Sequence, residues 1–202
     1  MLVKETINII HNIWPMLVII VSILTSFRIA DILVNKKKFV FYKDMLLLGF
    51  IIYIMGLFYA VTYQDVDWTT SNFIPFREIM RFGINDDRFI RDIIGNTVMF
   101  IPYGFFVSYF LKLDKVKIIL ILSFITSLTI ELTQSVIGRV FDVDDLILNV
   151  TGGIIGYGIY KFLNKIKNNL PKPLQSDWFL NIVTFIIIFV LIIYFLNHLV
   201  VT

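Results

Sequence analysis

The sequence has no cysteine and only two histidines, His11 and His198, among its 202 residues. Without cysteine there is no disulfide, thiolate nucleophile or cysteine-bound metal. Two histidines near opposite ends of the chain argue against a histidine metal cluster and against a Ser-His-Asp triad. Charge is scarce too, at 16% of residues against about a quarter in an average soluble domain. These absences remove several common enzyme chemistries and point away from a soluble domain.

The chain is instead rich in apolar runs. Hydrophobic residues make up 58% of it, and its mean hydropathy is +0.84. A membrane-spanning helix needs about 20 mostly apolar residues and satisfies its own backbone hydrogen bonds. We therefore predict an all-α, polytopic transmembrane bundle of about six spanning helices, with the first helix retained rather than cleaved as a signal peptide. The blocks lie at roughly 13–34, 45–63, 93–111, 116–134, 146–163 and 178–201.

Lysines indicate how the chain is oriented in the membrane. Eleven of them fall in three alternate loops, namely Lys36, Lys37, Lys38 and Lys43; Lys112, Lys115 and Lys117; and Lys161, Lys165, Lys167 and Lys172. The positive-inside rule places such loops in the cytoplasm. Both termini and the loops 64–92 and 135–145 are then expected to face outward. Water and anionic lipid headgroups suffice as lysine partners, so the net charge of +3 does not imply nucleic acid.

Arginines follow a different distribution, because five of the six lie in the two outward loops with most of the carboxylates. After Pro75, apolar residues recur at helical spacing, while Arg77 and Arg81 share another face. This pattern predicts a short amphipathic helix at the membrane interface. Two interpretations stay open: anchoring on the lipid surface, or binding of an anionic headgroup by Arg77 and Arg81.

A second group of polar residues comes from the outer ends of blocks 3, 4 and 5. Glu131 and Gln134 are three residues apart, and Asp142, Asp145 and Asn149 share one helical face. Ionisable residues in a membrane are costly unless paired or protonated, and consecutive helices are usually neighbours. We therefore predict an outward-facing polar pocket formed by Asn96, Glu131, Gln134, Arg139, Asp142, Asp145 and Asn149.

The two aspartates at the start of block 5 have a second interpretation. Asp142 and Asp144 could simply cap the helix that follows. Asp144 also points away from the face shared by Asp142 and Asp145, and it is left out of the predicted pocket. Further along the block, Gly152 and Gly156 form a small-xxx-small pattern that predicts close helix packing.

Three stretches, "SNFIPF", "GNTVMFIPYGFF" and "ELTQSVIGRVFDVDDLILNVTGGIIGYGIY", resemble the VanZ-like family over roughly residues 45–163. The matching positions are Asn72, Pro75, Phe76, Asn96, Phe100, Pro102, Gly104, Glu131, Gln134, Arg139, Asp142, Asp145, Asn149, Gly152 and Gly153. The resemblance implies a bacterial cell-envelope membrane protein, since the family's namesake is linked to low-level teicoplanin resistance. It divides the chain into an N-terminal helix and loop (1–44), a VanZ-like domain (45–163) and a linker with a C-terminal helix (164–202).

Three functions are consistent with these residues, and we give them from the most to the least favoured. The first is a non-enzymatic envelope protein whose outward pocket binds a lipid-linked cell-wall precursor or a lipoglycopeptide, contributing to teicoplanin-type resistance. The alternative is a membrane enzyme acting on a phosphate- or glycosyl-bearing lipid through Glu131, Asp142 and Asp145, by acid–base chemistry or around Mg²⁺. A transporter ranks last, because the polar residues stop near the outer third. The first interpretation assigns no catalytic residue, cofactor or metal ligand.

The orientation can be checked because the chain contains no cysteine to remove. Single cysteines replacing Arg139 and Lys115 should react with a membrane-impermeant thiol reagent from opposite sides of intact cells. Labelling of both from the same side would contradict the predicted topology.

Overall fold

The structure is a computed structural model that describes residues 2–63, 71–81 and 93–201. In these residues it contains seven α-helices and a short 3-10 turn, Lys172–Gln175. The helices are α1 Leu2–Asn35, α2 Phe41–Tyr63, α3 Arg77–Arg81, α4 Gly95–Leu111, α5 Val116–Val136, α6 Val143–Asn169 and α7 Asp177–Val201. Across these described ranges the only extended pairing is an isolated bridge between Asn72 and Asp142. The predicted all-α fold is confirmed.

Five of the described helices, α1, α2, α5, α6 and α7, are long and apolar enough to cross a membrane. At 17 residues, α4 spans about 26 Å at 1.5 Å per residue, which is near the lower limit for a spanning helix. The chain is therefore a polytopic helical membrane protein, and each of the six predicted apolar blocks forms a helix.

The chain divides into two compact units. Unit 1 comprises Met1–Ile52 and Lys165–Thr202, and unit 2 comprises Tyr53–Asn164. Both divisions fall within helices, one in α2 and the other in α6. All the residues of the predicted pocket belong to unit 2, and the division of the chain at 44 and 164 stays a prediction.

In unit 2, glycines allow α4 and α6 to pack backbone against backbone. A β-carbon at Gly156 would overlap the carbonyl of Ile101, and one at Gly152 would overlap the carbonyl of Thr97. Likewise, a β-carbon added to Gly104 of α4 would overlap the backbone of Gly153 of α6. The close packing predicted from the small-xxx-small pattern is confirmed.

Hydrogen bonds join the other helices of unit 2. On α4, the Tyr103 hydroxyl lies 2.7 Å from the Thr126 hydroxyl of α5. The Tyr53 hydroxyl of α2 donates to the Met99 carbonyl at 2.9 Å. Buried apolar side chains, among them Phe100 and Ile119, fill the space between these helices. Such small polar contacts are typical of membrane helices, where the hydrophobic effect does not drive association.

In unit 1, Arg28 and Asp31 of α1 are three residues apart and form an ion pair at 3.1 Å. The Arg28 guanidinium also reaches α2, where its Nε donates to Asp44 at 2.7 Å. One arginine therefore bridges two carboxylates, one near the end of α1 and one near the start of α2.

The glycine packing leads to a matched test on α6. Gly156→Ala should lower the free energy of unfolding by about 1–3 kcal/mol, the usual range for overpacking, because the new methyl group meets backbone that cannot move aside. Gly158→Ala is the control, since a β-carbon added there, on the same helix, would meet no atom within 4 Å and alanine favours the helix. Denaturation in detergent should separate the two variants; equal stability would contradict the packing described.

Candidate functional site

Two loops that are far apart in sequence are joined at Asn72 and Asp142. The Asn72 N–H donates to the Phe141 carbonyl at 2.9 Å, and the Val143 N–H donates to the Asn72 carbonyl at 3.0 Å. The Asn72 side chain also donates to Asp142 Oδ1 at 2.9 Å. Beside this pairing, the rings of Phe73 and Phe141 stack with centroids 5.4 Å apart. The segment before α3 is thus fastened to the segment before α6.

Asp144 makes a second connection between these segments. It is only 1% exposed, and its carboxylate accepts hydrogen bonds from the backbone N–H groups of Phe76 and Ile79, the latter at 3.3 Å. Phe76 has a φ of 65°, in the left-handed region that is unfavourable for a residue with a β-carbon. A buried carboxylate that accepts two backbone N–H groups offsets that cost. Asp144 therefore fixes the turn into α3.

Asp142 has the capping role that the sequence allowed. Its Oδ1 accepts the Asp144 N–H at 2.8 Å, so it caps the first turn of α6. The other aspartate of the alternative interpretation, Asp144, instead uses its side chain for the turn at Phe76. The two carboxylates thus serve two different helices.

Glu131 begins a chain of polar contacts that crosses unit 2. It is 2% exposed, and its Oε2 accepts the Asp142 N–H at 3.0 Å. In the amide orientation that satisfies both neighbours, Gln134 donates to Glu131 Oε1 at 3.3 Å and accepts from Arg139 Nη1. Arg139 Nη1 also donates to the Val61 carbonyl at 2.9 Å. That carbonyl belongs to the last turn of α2, where helical partners run out.

The three remaining predicted pocket residues pair separately. Asn96 on α4 donates to Asp145 on α6. Deeper in the bundle, the buried Asn149 donates to the Ser127 hydroxyl at 3.0 Å. All seven predicted residues thus lie in unit 2 with polar partners, and four of them form one connected network: Glu131, Gln134, Arg139 and Asp142. A ligand-binding pocket at this position stays a prediction.

The predicted amphipathic helix is α3, and it is short. Arg77 is exposed, whereas the side chain of Arg81 lies outside the described residues. The apolar residues around Arg77 are exposed as well, with Phe73 at 72%, Ile74 at 59% and Met80 at 82%. This segment, residues 72–80, therefore presents an apolar surface that carries a guanidinium; we call it the interfacial segment.

Two residues of this polar region, Asn72 and Asp144, are not predicted by the sequence patterns. Asn72 belongs to the family pattern but lies outside the predicted pocket, and Asp144 leaves the helical face that Asp142 and Asp145 share. Helical periodicity could not reveal either role, since their partners lie about 70 residues away. The "N-x-I-P-F" motif was the one available signal for Asn72.

Removing the Asp144 carboxylate should release the interfacial segment. In Asp144→Ala, the N–H groups of Phe76 and Ile79 lose their acceptor, so a spin label on Met80→Cys should become more mobile. Asp114→Ala is the matched control, because the Asp114 carboxylate is 91% exposed and lies outside this network. Unchanged label mobility in Asp144→Ala would show that other contacts hold the segment.

Comparison with known proteins gives a consistent result. The VanZ/LLP1 family model matches residues 44–164, and Protein VanZ of Enterococcus faecium is 36% identical over 84 residues. That alignment covers 39% of this chain and 49% of the relative, so the chain spans about half the length of the relative it matches. No solved structure matches. Since the family match covers more than half of the chain, this membrane protein belongs to the VanZ/LLP1 family.

Proposed function

We propose that this protein is a non-enzymatic envelope protein that binds an amphiphilic ligand at the outer leaflet. The ligand class is a lipid-linked cell-wall precursor or a lipoglycopeptide such as teicoplanin, which carries an acyl chain. The proposal rests on one observation: the exposed interfacial segment is hydrogen-bonded, through Asn72, Phe76 and Ile79, to a buried polar network. An amphiphile requires apolar and polar contacts side by side, and this arrangement offers both.

The interfacial segment suits the apolar part of such a ligand. Phe73 and Met80 are 72% and 82% exposed, so they present apolar side chains against which an acyl chain can pack. The segment is also held in place, because Asp144 binds two of its backbone N–H groups. A fixed apolar surface loses less conformational entropy on binding than a mobile one.

The polar part of the ligand would meet Arg77, the accessible side of Arg139 and the separate pair of Asn96 and Asp145. The guanidinium of Arg77 is exposed, and arginine binds phosphate or carboxylate through two parallel hydrogen bonds. Asn96, Arg139 and Asp145 are half-buried, so they can contact a ligand while keeping their protein partners. Arg81 remains a proposed headgroup contact on the strength of its sequence position.

Binding is favoured over catalysis because the carboxylates already hold protein groups. Glu131 accepts a backbone N–H of the loop before α6, and Asp142 accepts from Asn72 and from the first turn of α6. Within the ranges that the structure describes, no three acidic or histidine side chains converge as metal ligands would. These contacts are typical of a scaffold that positions a binding surface.

Glu131→Gln and Asp145→Asn test the proposal. Each removes a charge while keeping the shape of the side chain, and so weakens the hydrogen bond with the Asp142 N–H or with Asn96. A hydrogen bond to a charged group is worth about 1.5–3 kcal/mol, and weakening it should disturb the binding surface. We therefore expect each variant to bind fluorescent teicoplanin or a polyprenyl-linked saccharide at least about tenfold more weakly in detergent. Asp114→Asn should bind like the wild type.

The same variants can be compared in a glycopeptide-susceptible bacterium. Expression of the wild type should raise the inhibitory concentration of teicoplanin more than that of vancomycin, and both pocket variants should lose this effect while inserting normally. Wild-type binding by both variants would contradict the role of the network. Turnover of a lipid-phosphate substrate by the purified protein would favour the enzymatic alternative.

A further inference from the structure

The polar end of unit 1 brings together three helix ends. Arg28 of α1 binds Asp44 of α2. Tyr42, at the start of α2, has its backbone N–H bonded to Asn181 Oδ1 at 3.0 Å, and its hydroxyl lies 3.2 Å from Asp177 Oδ1 at the start of α7. The end of α1 and the beginnings of α2 and α7 therefore share one end of unit 1.

This end is strongly basic. Residues 28–44 and 165–177 contain seven lysines but only three acidic residues, Asp31, Asp44 and Asp177. Arg28 and Lys37 bind Asp31, and Arg28 binds Asp44. Lys43 lies 3.5 Å from Asp177 in an exposed pair, and a pair of this kind contributes little. The lysines thus outnumber the carboxylates that could neutralise them.

Two of these lysines are held at one aromatic ring. Tyr42 is buried, and its ring centroid lies 5.3 Å from the Lys43 ammonium and 5.9 Å from the Lys167 ammonium. These are cation–π distances. The two ammonium groups come from segments far apart in the sequence, yet they face the same ring. Tyr42 therefore keeps two positive charges in its neighbourhood, and an anion bound there would be attracted by both.

The surroundings identify the kind of anion. The lysine-bearing segments lie where α1 and α6 end and where α2 and α7 begin, and all four helices can span a membrane. Phe39, three residues before Tyr42, and Trp178, next to Asp177, are 60% and 73% exposed, and tryptophan favours the headgroup region. A phospholipid phosphate lies at this depth in a bilayer.

We propose that Tyr42, Lys43 and Lys167 form a binding site for the phosphate of an anionic phospholipid. Tyr42 positions the two ammonium groups, and Trp178 and Phe39 anchor the site at the interface. The positive-inside pattern predicts that this phosphate belongs to the cytoplasmic leaflet. The site uses only residues of unit 1 and does not depend on the outward ligand proposed above.

Lipid titration of the full-length protein in a neutral detergent tests the site. Phosphatidylglycerol should raise the melting temperature, whereas phosphatidylcholine and inorganic phosphate should not. Lys43→Gln/Lys167→Gln removes two charge-assisted contacts with the phosphate and should weaken the apparent phosphatidylglycerol affinity by at least about tenfold. Lys112→Gln/Lys117→Gln removes the same charge elsewhere and should keep most of the affinity.

Tyr42→Leu distinguishes binding at a specific site from general electrostatic attraction. It leaves every charge in place but removes the ring that gathers the two ammonium groups. The lipid-induced rise in melting temperature, measured for each protein against its own value without lipid, should therefore be smaller in the variant than in the wild type. Equal shifts in the wild type, Tyr42→Leu and both lysine pairs would overturn the proposal. An equal response to phosphatidylcholine or to inorganic phosphate would overturn it as well.

Discussion

Backbone that leaves a helix at the boundary of a membrane must find hydrogen-bond partners within the protein, because hydrocarbon offers none. In unit 2 charged side chains supply them. Asp144 accepts the N–H groups of Phe76 and Ile79, Glu131 accepts that of Asp142, and Arg139 donates to the last turn of α2. The charged side chains of this region therefore make an irregular chain path possible where the chain leaves its helices.

Glycine packing supplies the frame on which those charges are placed. Gly104, Gly152 and Gly156 let the backbones of α4 and α6 touch, which brings Asn96 within hydrogen-bonding distance of Asp145. Asn149 then reaches Ser127 on α5. Side chains of helical residues can be positioned this closely only because the helix axes themselves are close. The polar contacts and the small residues are two parts of one arrangement.

Much of this could be predicted from the sequence, because the membrane simplifies the problem. Long apolar runs form helices there, and the small-xxx-small pattern of α6 indicated close packing. Helical spacing put Glu131 with Gln134, and Asp145 with Asn149, on shared faces, while the pocket that they were predicted to form stays a prediction. The role of Asp144 could not be predicted, because its partners are backbone N–H groups 65 and 68 residues away. Every residue except proline has such a group, so the sequence does not indicate which one a side chain will bind. The link from Arg139 to the Val61 carbonyl was hidden for the same reason.

The pairing of Asn72 with Asp142 also constrains how the protein assembles. The two residues are 70 positions apart, and α4 and α5 lie between them. Contacts that close so long a loop carry an entropic cost that local contacts must first offset. The bridge therefore forms only after the intervening helices have been inserted and packed, so the joined loops at Asn72 and Asp142 are completed late in folding.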